Sequence, residues 1–432
     1  MRKHAPAVTI AAISAIGLMI ALFGSAAAGA GTPGSVDRSY GTDGKVVTAA
    51  HGLPLDALVQ SNGDLLVAMG GPLENFLNNG SVNTGFGSDG ISDTAESPVS
   101  GKATIGGPSD EIALESGGDI VEAGEASLAD GEAALGVTRL TSAGALETSF
   151  GKAGKTIVGF NLEKASYEVT PDGVVIEPSG KILVAVNATQ LAARKAKSFG
   201  AVIRLDSNGT LDSSFGSGGI ARLPSIAINT IGVDSAGDVF VLRLAQPGEG
   251  VTEIEISPSG HEDPSVTAEP IVASSIGFTT NQPRVFESNG ESLAAPFVGT
   301  AKKSYKAEVE KITAAGALDP AFTITPFRFN GETSNLGEDI AFALALEPDG
   351  KIVAVGSHVA SGGASAEAGI ARLDENGTLD TTFANAGTAT EPLEGGSAYD
   401  TLAIEPNGNI IAIGGEELSE NTRMILVRYL GE

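Results

Sequence analysis

The sequence contains no cysteine and no tryptophan among its 432 residues, and it contains four histidines. Without cysteine there are no disulfides, so the fold must be stabilised by a large apolar core, which a chain of this length can form. The histidines show no His-x-x-x-His or His-Glu-x-x-His spacing that would hold zinc. Aromatic residues make up 5% of the chain, which disfavours stacking platforms for sugars or single-stranded nucleic acid.

Basic residues are also scarce, with 26 Lys and Arg against 53 Asp and Glu. This acidic balance argues against nucleic acid and anionic lipid surfaces as partners. No apolar run after Thr32 is long enough to span a membrane, so we expect no span in the mature chain. The sequence also has no Gly-x-Ser-x-Gly elbow and no phosphate-binding Gly-x-x-x-x-Gly-Lys-Ser/Thr loop.

Residues 1–30 have the pattern of a secretory signal peptide. Arg2 and Lys3 form a basic start, an apolar stretch follows, and small residues near Ala30 offer cleavage sites. A retained signal anchor is the alternative, but the apolar stretch is short and leads directly into a cleavage site. We therefore expect a secreted, extracellular protein whose mature chain is residues 31–432.

Two markers recur along the mature chain. The first is a turn glycine between two short apolar runs, as in the Pro-Asp-Gly turn at Gly350 within ALEPDGKIVAVG. It occurs at Gly63, Gly118, Gly180, Gly237, Gly290, Gly350 and Gly408. The second is an aromatic corner residue, in a Leu-Asp-x-x-Phe pattern or a close variant of it, at Tyr40, Phe86, Phe150, Phe215, Phe322 and Phe383. Abundant glycine, 58 residues, fits many tight turns between short strands. The markers predict seven β-sheet units.

The two markers are out of phase at the chain ends. A corner without preceding strands, around Tyr40, opens the mature chain, and the last unit stops after its third strand at Leu430. Each end supplies what the other lacks, which is expected of a closed ring and not of a linear solenoid. The sequence therefore predicts an all-β fold, a single closed seven-bladed β-propeller with four-stranded blades. The predicted units are approximately 53–104, 105–165, 166–225, 226–275, 276–330, 331–395, and 396–432 completed by 31–50.

The repeats resemble the delta-60 repeat, a bacterial β-propeller repeat with a pattern close to LALxPDGKIVVAG followed by RLxxxGxLDxSFGxxG. Residues 344–387 and 203–219 carry the resemblance, which extends over essentially the whole mature chain. It implies a propeller and secretion. Because the family is largely uncharacterised, the resemblance supplies no catalytic residues, and units near 251–300 depart from the pattern.

A set of polar residues lies eight positions before the turn glycine. If the first strand of each blade lines the axis, these residues surround one mouth of the central channel, and we name them as candidate ligand-binding residues. They are Asp110, Asp172, Asn229, Gln282 and Asp400, with Asp56 one place out of register and Phe342 interrupting the set. A ring of carboxylates could hold a cation or a cationic ligand. The alternative is that each side chain caps its strand or binds backbone N–H groups of the next blade.

A basic residue at the end of the third strand precedes an acidic corner residue by eight positions. The pairs are Arg139 with Glu147, Arg204 with Asp212, Lys311 with Asp319, and Arg372 with Asp380, while Asn75 and Asn83 replace both partners in the first unit. Arg428 has no acid after it, so ring closure predicts a salt bridge with Asp37. We expect Phe215 and Phe383 to pack between blades. The turns from Asp206 to Asp212 and from Asp374 to Asp380 resemble calcium loops but are too short, and hairpin turns explain them better.

These observations favour a secreted, non-enzymatic propeller that acts as a ligand-binding or protein-interaction scaffold. We expect a monomer without a cofactor and without catalytic residues, whose partner is a small molecule or an extracellular protein. One alternative is a hydrolase or lyase that uses a divalent cation such as calcium at the channel mouth. A second alternative is a structural protein of the cell envelope.

Overall fold

The computed structural model describes residues 31–49, 54–69, 73–92, 104–128, 132–160, 167–190, 198–224, 227–244, 252–262, 283–300, 304–332, 337–360, 363, 365–393, 397–418 and 421–432. Within these ranges the regular structure consists of β-strands, with no helix. The predicted signal peptide lies outside the described residues. No helix in the described ranges is long and apolar enough to cross a membrane.

The first three blades follow one another along the chain. Blade 1 contains β2 (Asp56–Val59), β3 (Leu65–Ala68) and β4 (Glu74–Phe76). Blade 2 contains β5 (Thr104–Leu114), β6 (Ile120–Ser127), β7 (Ala133–Leu140) and β8 (Lys155–Gly159). Blade 3 contains β9 (Tyr167–Ile176), β10 (Ile182–Gln190), β11 (Ser198–Leu205) and β12 (Ile220–Pro224). All neighbouring strands within these sheets are antiparallel.

The remaining blades complete the ring. Blade 4 contains β13 (Ala227–Val233), β14 (Val239–Leu244) and β15 (Thr252–Ile256). Blade 5 contains β16 (Arg284–Phe286), β17 (Ser292–Ala294) and β20 (Glu310–Ile312), with a hairpin of β18 (Phe297–Thr300) and β19 (Ser304–Ala307) between the last two. Blade 6 contains β21 (Gly337–Leu346), β22 (Ile352–Val359), β23 (Ala366–Leu373) and β24 (Thr388–Glu391). Blade 7 contains β25 (Ser397–Ile404), β26 (Ile410–Leu418), β27 (Asn421–Tyr429) and β1 (Lys45–Ala49).

The seven innermost strands form a continuous ring. Each of β2, β5, β9, β13, β16, β21 and β25 contacts the innermost strand of the next blade, and β25 contacts β2. Thr32–Glu432 forms one compact unit. The chain therefore has a seven-bladed propeller arrangement, in which the innermost strands surround the axis.

The second strand of each blade is packed between two neighbouring blades. Ile182 to Val186 in β10 and Val353 to Val355 in β22 are fully buried at every position. A strand that is covered on both faces is expected to be apolar throughout, whereas a half-exposed strand alternates. The seven blades thus share a core that runs around the ring as a series of interfaces between sheets.

The prediction that every blade has four strands holds only in part. Blades 2, 3, 6 and 7 have four strands, while the described strands of blades 1 and 4 number three each. In blade 5 the second and third strands are interrupted, and the β18–β19 hairpin pairs in parallel with β21 of blade 6, through Ser304 with Gly337 and Tyr305 with Glu338. The repeat pattern is weakest in this part of the sequence, so the sequence did not predict this pairing.

The two ends of the chain meet in blade 7. Strand β1 pairs antiparallel with β27 over five residues, from Lys45 with Val427 to Ala49 with Arg423. The backbone N–H of Gly34 also donates to Leu430 O at 2.7 Å. The preceding segment reaches both neighbouring blades, since Ala384 N in blade 6 donates to Pro33 O and Gly41 N donates to Asn79 O in blade 1.

Candidate functional site

A cavity of about 300 Å³ lies on the propeller axis, and every blade contributes to its wall. The lining residues, in blade order, are Leu55, Glu111, Asp172, Thr230, Pro283 and Arg284, Phe342 to Leu344, and Asp400 with Thr401. Each lies on or beside an innermost strand. The cavity is therefore the central channel, and its wall combines carboxylates, hydroxyls and apolar side chains.

Backbone bulges in the innermost strands place several of these side chains in the channel. The pairing register skips Asp172 in β9, Thr230 in β13, Phe342 in β21 and Asp400 in β25. A bulge sets two residues of one strand against one residue of its partner and re-aims their side chains. Asp400 and the adjacent Thr401 consequently both line the cavity.

Two of the predicted channel residues, Asp172 and Asp400, line the cavity together. Asp172 Oδ2 also accepts a hydrogen bond from Asn187 Nδ2 at 2.7 Å, and Asn187 in turn bonds the main chain of Ile228 in blade 4. The Asp172 carboxylate is therefore held by a contact that links blades 3 and 4.

The prediction for Asp56 differs from the structure. Its carboxylate accepts hydrogen bonds from Ala57 N at 2.8 Å and from Ile112 N of blade 2 at 3.1 Å. Burial raises the pKa of Asp56, and these two backbone donors partly offset that effect. Asp56 thus ties blade 1 to blade 2, and Leu55 lines the cavity in its place. Leu55, and not Asp56, stands eight residues before Gly63, which is the register position of the set.

The remaining positions of the predicted set are Asp110, Asn229, Gln282 and Phe342. Thr230, which follows Asn229, is the residue skipped in the bulge of β13 and lines the cavity. The side chains of Asp110 and Asn229 and the whole of Gln282 lie outside the described part of the chain. Phe342, which interrupted the predicted polar set, does line the cavity, and 39% of its surface is exposed.

The described side chains make the cavity acidic. Glu111, Asp172 and Asp400 contribute carboxylates, while the Arg284 side chain is only 1% exposed and is paired with Glu253 at 2.5 Å. The Arg284 charge is therefore paired within the protein and is hardly exposed to the cavity. Burial raises the pKa of Asp400 to about 6, against a weaker opposing effect from the backbone N–H of Gly415. Asp400 is consequently ionised at neutral pH and titrates near pH 6.

Sequence reasoning missed Glu111 and Thr401, which lie directly after Asp110 and Asp400. Their adjacency to a predicted channel position was the available signal, but strict alternation along a strand would place them on the opposite face. The bulge removes that alternation. Within the described ranges, no group of three or more His, Cys, Asp or Glu side chains could hold a metal ion.

At the other end of the innermost strands, the blades carry a recurrent cluster that we call the corner cluster. It consists of the arginine that ends strand three, the corner aspartate, the corner aromatic and the glutamate that follows strand one. Arg204 Nε lies 2.7 Å from Asp212, Arg372 Nε lies 2.9 Å from Asp380, and Arg428 Nη2 lies 2.7 Å from Asp37. The first two arginines and their aspartates are almost fully buried.

Each of these guanidinium groups stacks on the corner aromatic. The Arg204 group lies 4.4 Å from the centre of the Phe215 ring, and the Arg372 group lies 4.5 Å from Phe383, with both rings fully buried. Arg428 lies 4.6 Å from Tyr40, so the N-terminal segment supplies the aromatic of blade 7. The corner aromatics are therefore packing residues between blades and not a binding surface.

The same arginines also link adjacent blades. Nη1 donates to the carbonyl two residues after the third strand of the next blade, from Arg139 to Ser207, from Arg204 to Pro258, from Arg372 to Gly431 and from Arg428 to Asn78. The last contact joins blade 7 to blade 1. The corner clusters thus act as a repeated connection around the ring.

Two clusters depart from the eight-residue scheme. Arg139 has its ion pair with Glu115, at 3.5 Å, and Lys311 pairs with Glu287 at 3.0 Å and with Glu291 at 2.9 Å. In these blades the turn glutamate replaces the corner acid as the closest anionic partner.

Blade 1 has a neutral version of the corner cluster. Asn83 Nδ2 donates to Asn75 Oδ1 at 2.8 Å, and Asn75 Nδ2 donates to Gln60 Oε1 at 3.1 Å. Gln60 stands where Glu177 and Glu347 stand in blades 3 and 6. Replacement of all three charged groups together keeps the hydrogen bonds without leaving an unpaired buried charge.

A lysine ammonium lies at the turn that resembled a calcium loop. Lys181 Nζ is 2.5 Å from Asp212 Oδ2 and 3.3 Å from Asp206 Oδ1. Burial by itself raises the pKa of Asp212, but the hydrogen bonds of Lys181 and Ser214 and the charge of Arg204 outweigh it, so the pKa lies below its usual value. At this turn the positive charge beside Asp206 and Asp212 is therefore supplied by the Lys181 side chain.

Residues 177–215 and 347–383 match a family described as "Domain of unknown function (DUF5122) beta-propeller". Both segments begin at the glutamate of a corner cluster and end at its aromatic. The chain therefore carries repeats of a β-propeller repeat family. No curated protein matches it significantly in sequence.

Several solved structures resemble the chain over most of its length. One is the polysaccharide lyase Uly1, with 11% identity, a TM-score of 0.45 and coverage of 91% of this chain and 92% of that chain. Others are a glucose dehydrogenase, with 10% identity, a TM-score of 0.37 and coverage of 88% and 99%, and the gluconolactonase XC5397 from Xanthomonas campestris, with 12% identity, a TM-score of 0.34 and coverage of 93% and 99%. Resemblance at this level gives no information on activity.

Proposed function

We propose that this is a secreted, non-enzymatic propeller of the delta-60 repeat type that binds a small cationic ligand in its axial cavity. The observation that carries the proposal is the composition of the cavity wall. Three blades contribute carboxylates, Glu111, Asp172 and Asp400, and no described basic side chain is exposed beside them. A confined acidic cavity favours a cation, because charges interact more strongly where water is partly excluded.

The cavity size supports a small ligand over a protein partner. Its volume of about 300 Å³ lies at the lower end of the range for small-molecule sites. Such a ligand does not require catalytic groups. The enzyme alternative requires metal-ligating side chains that converge, and the described residues include no such group. The envelope alternative requires no ligand, so a binding experiment separates it from the proposal.

The test is a thermal-shift screen of the purified protein against calcium, magnesium and sodium salts, organic ammonium salts, carboxylates and neutral sugars at constant ionic strength. A ligand that binds only the folded state raises Tm, and at 100 times Kd it stabilises by about 2.7 kcal/mol. We expect a cation to raise Tm and Asp172→Asn or Asp400→Asn to weaken that shift. Glu375→Gln, at an exposed turn, removes the same charge outside the cavity and should leave it unchanged.

Two results would contradict the proposal. One is a cation-dependent shift that is the same in both channel variants. The other is the absence of any shift across the panel, which would favour the structural alternative. Secretion is tested separately, by sequencing the N-terminus of protein recovered from the culture medium, where we expect a start close to Gly31.

A further inference from the structure

We propose that the axial ligand is an organic ammonium compound, held by Asp400, Thr401 and Phe342 in a subsite of the channel. This inference rests on the proposed function of the cavity and specifies the chemical class of the ligand. An acidic cavity alone would suit an inorganic cation equally well, so the distinction depends on the groups beside Asp400.

The first of these groups is the hydroxyl of Thr401. Thr401 is 7% exposed and lines the cavity, and its hydroxyl forms no hydrogen bond with the part of the chain that the structure describes. A hydroxyl that opens into a cavity can bond water or a ligand there. The Thr401 hydroxyl is available to accept a hydrogen bond from a ligand N–H while the neighbouring Asp400 carboxylate neutralises its charge.

The second group is the ring of Phe342. Blade 6 lies beside blade 7, so Phe342 and Asp400 occupy corresponding bulge positions on adjacent innermost strands. The ring remains 39% exposed although it faces the channel. An aromatic face attracts a cation within about 6 Å of its centroid, and an organic ammonium also carries hydrocarbon that can pack on the ring, which a metal ion lacks. A carboxylate beside such a ring favours an organic cation over a strongly hydrated metal ion.

Blade 1 lies on the other side of blade 7 and contributes an aliphatic side chain. Leu55 is 48% exposed and lines the same cavity. Burial of an exposed apolar side chain against ligand methylene groups is favourable, at about 25 cal/mol per Å². Asp400 and Thr401 are thus flanked by Phe342 and Leu55, an arrangement that matches a charged head group with hydrocarbon attached.

Metal ions fit this subsite less well. Calcium requires six to eight oxygen ligands, many of them carboxylates, and the described carboxylates do not gather into a metal-binding group. A primary ammonium head has three N–H donors, for which the Asp400 carboxylate, the Thr401 hydroxyl and water in the cavity can serve as acceptors.

The experiment is isothermal titration of the protein with n-butylammonium chloride and, separately, with calcium chloride, both at pH 7.5 and equal ionic strength. Three variants report on the three groups. Thr401→Val keeps the side-chain shape but removes the hydroxyl, Phe342→Leu keeps an apolar side chain but removes the ring, and Asp400→Asn removes the charge. We expect Kd for n-butylammonium to rise by about threefold, fivefold and tenfold, respectively. Glu375→Gln is the control.

The outcomes separate this inference from the proposed function. If calcium binds in a manner that depends on Asp400 and Asp172, whereas n-butylammonium does not bind, the cavity is a cation site but the ammonium assignment is wrong. If n-butylammonium binds equally to Phe342→Leu, Thr401→Val and the parent protein, the subsite is wrong. If neither cation depends on any channel residue, both proposals fail. Melting curves of each variant verify that it is folded before its affinity is compared.

Discussion

Arg428 holds together parts of the protein that are distant in sequence. Its guanidinium pairs with Asp37 of the N-terminal segment and with Glu405 of its own blade, at 2.7 and 3.2 Å. It also donates to Asn78 O of blade 1 at 2.6 Å and stacks on Tyr40. One almost buried side chain therefore connects the start of the chain, its end and the first blade.

We predict that Asp37→Ala lowers the free energy of unfolding by about 3 kcal/mol, because it leaves the Arg428 charge partly unpaired in a largely buried environment. Asp43→Asn is the control, because asparagine tolerates the positive φ of 56° that Asp43 adopts. Asp43 pairs with Arg38, but both side chains are mostly exposed, and such pairs contribute about 0–1 kcal/mol. Equilibrium denaturation in guanidinium chloride measures both changes. Equal losses in the two variants would show that the Arg428 contact has no special role.

A second prediction concerns the position that follows the turn glycine. Lys181 and Lys351 occupy it in blades 3 and 6, where their ammonium groups approach Asp212 and Asp380. In blade 7 it is Asn409, whose side chain accepts only a 3.3 Å hydrogen bond from Gly431 N. Asn409→Lys should therefore bring a cation to Asp37 and stabilise the protein by about 0.5 kcal/mol. The gain should disappear in the Asp37→Ala background, and a gain that persists there would contradict the mechanism.

At the scale of single elements, the bulges and the residues opposite them determine the channel wall. Gly414 in β26 pairs with Tyr399, immediately before the bulge at Asp400. A Cβ added at Gly414 would lie 1.8 Å from Ala398 O, and a Cβ added at the equivalent Gly356 in β22 would lie 1.9 Å from Ile340 O. Glycine at these positions permits the close approach of the innermost strand that the bulge requires.

We predict that Gly414→Ala destabilises the protein by about 1–3 kcal/mol, since the backbone of β25 must shift to admit the methyl group. It should also weaken ligand binding, because the shift moves Asp400 and Thr401. Gly117→Ala is a suitable control, as its added Cβ would meet no atom within 4 Å. Thermal melting and titration of both variants provide the measurement. A Gly414→Ala protein with parental stability would mean that the close approach is not required.

For the whole molecule, closure of the ring depends on the N-terminal segment. Residues 32–49 complete the sheet of blade 7 and bond to blades 6 and 1. We predict that deletion of residues 31–50 lowers Tm of the entire protein, in a single transition, because an opened ring exposes the apolar faces of blades 1 and 7. Differential scanning calorimetry tests this prediction. A truncated protein that melts like the parent would show that the ring does not need this segment.

Stability should also vary with pH in a predictable direction. Burial and the charge of Glu310 raise the pKa of Glu308 to about 7, and burial raises that of Glu347 to about 6. Because the folded state holds these protons more tightly than the unfolded chain, their contribution to stability is present below about pH 4.5 and is lost as pH rises towards 7.

The pKa values of Asp37 and Asp380 are shifted in the opposite direction. Burial tends to raise them, but the hydrogen bonds of the two carboxylates and the arginines beside them outweigh burial, so both pKa values are lowered. The contribution of these carboxylates to stability is therefore lost as pH falls below about 3.8. We therefore predict a maximum of Tm at about pH 4, between these two limits, in a calorimetric series from pH 3 to 8. Glu308→Gln should flatten the decline from pH 5 to 8. A Tm that rises over that interval in the parent protein would contradict the assignment.

The sequence by itself determined the seven-unit arrangement, the packing of Phe215 and Phe383 between blades and the pairing of Arg428 with Asp37. These features follow from local periodicity and from counting repeats, because the incomplete units at the two chain ends together make one complete unit. It also located Asp172 and Asp400 at the axis. Only the tertiary structure showed that Thr401 and Phe342 share the cavity with Asp400, that Asp56 bonds the next blade, and that the β18–β19 hairpin joins blade 6. Bulges and the packing of adjacent blades set these contacts, and a one-residue change of register reverses the face of a side chain without changing the repeat pattern.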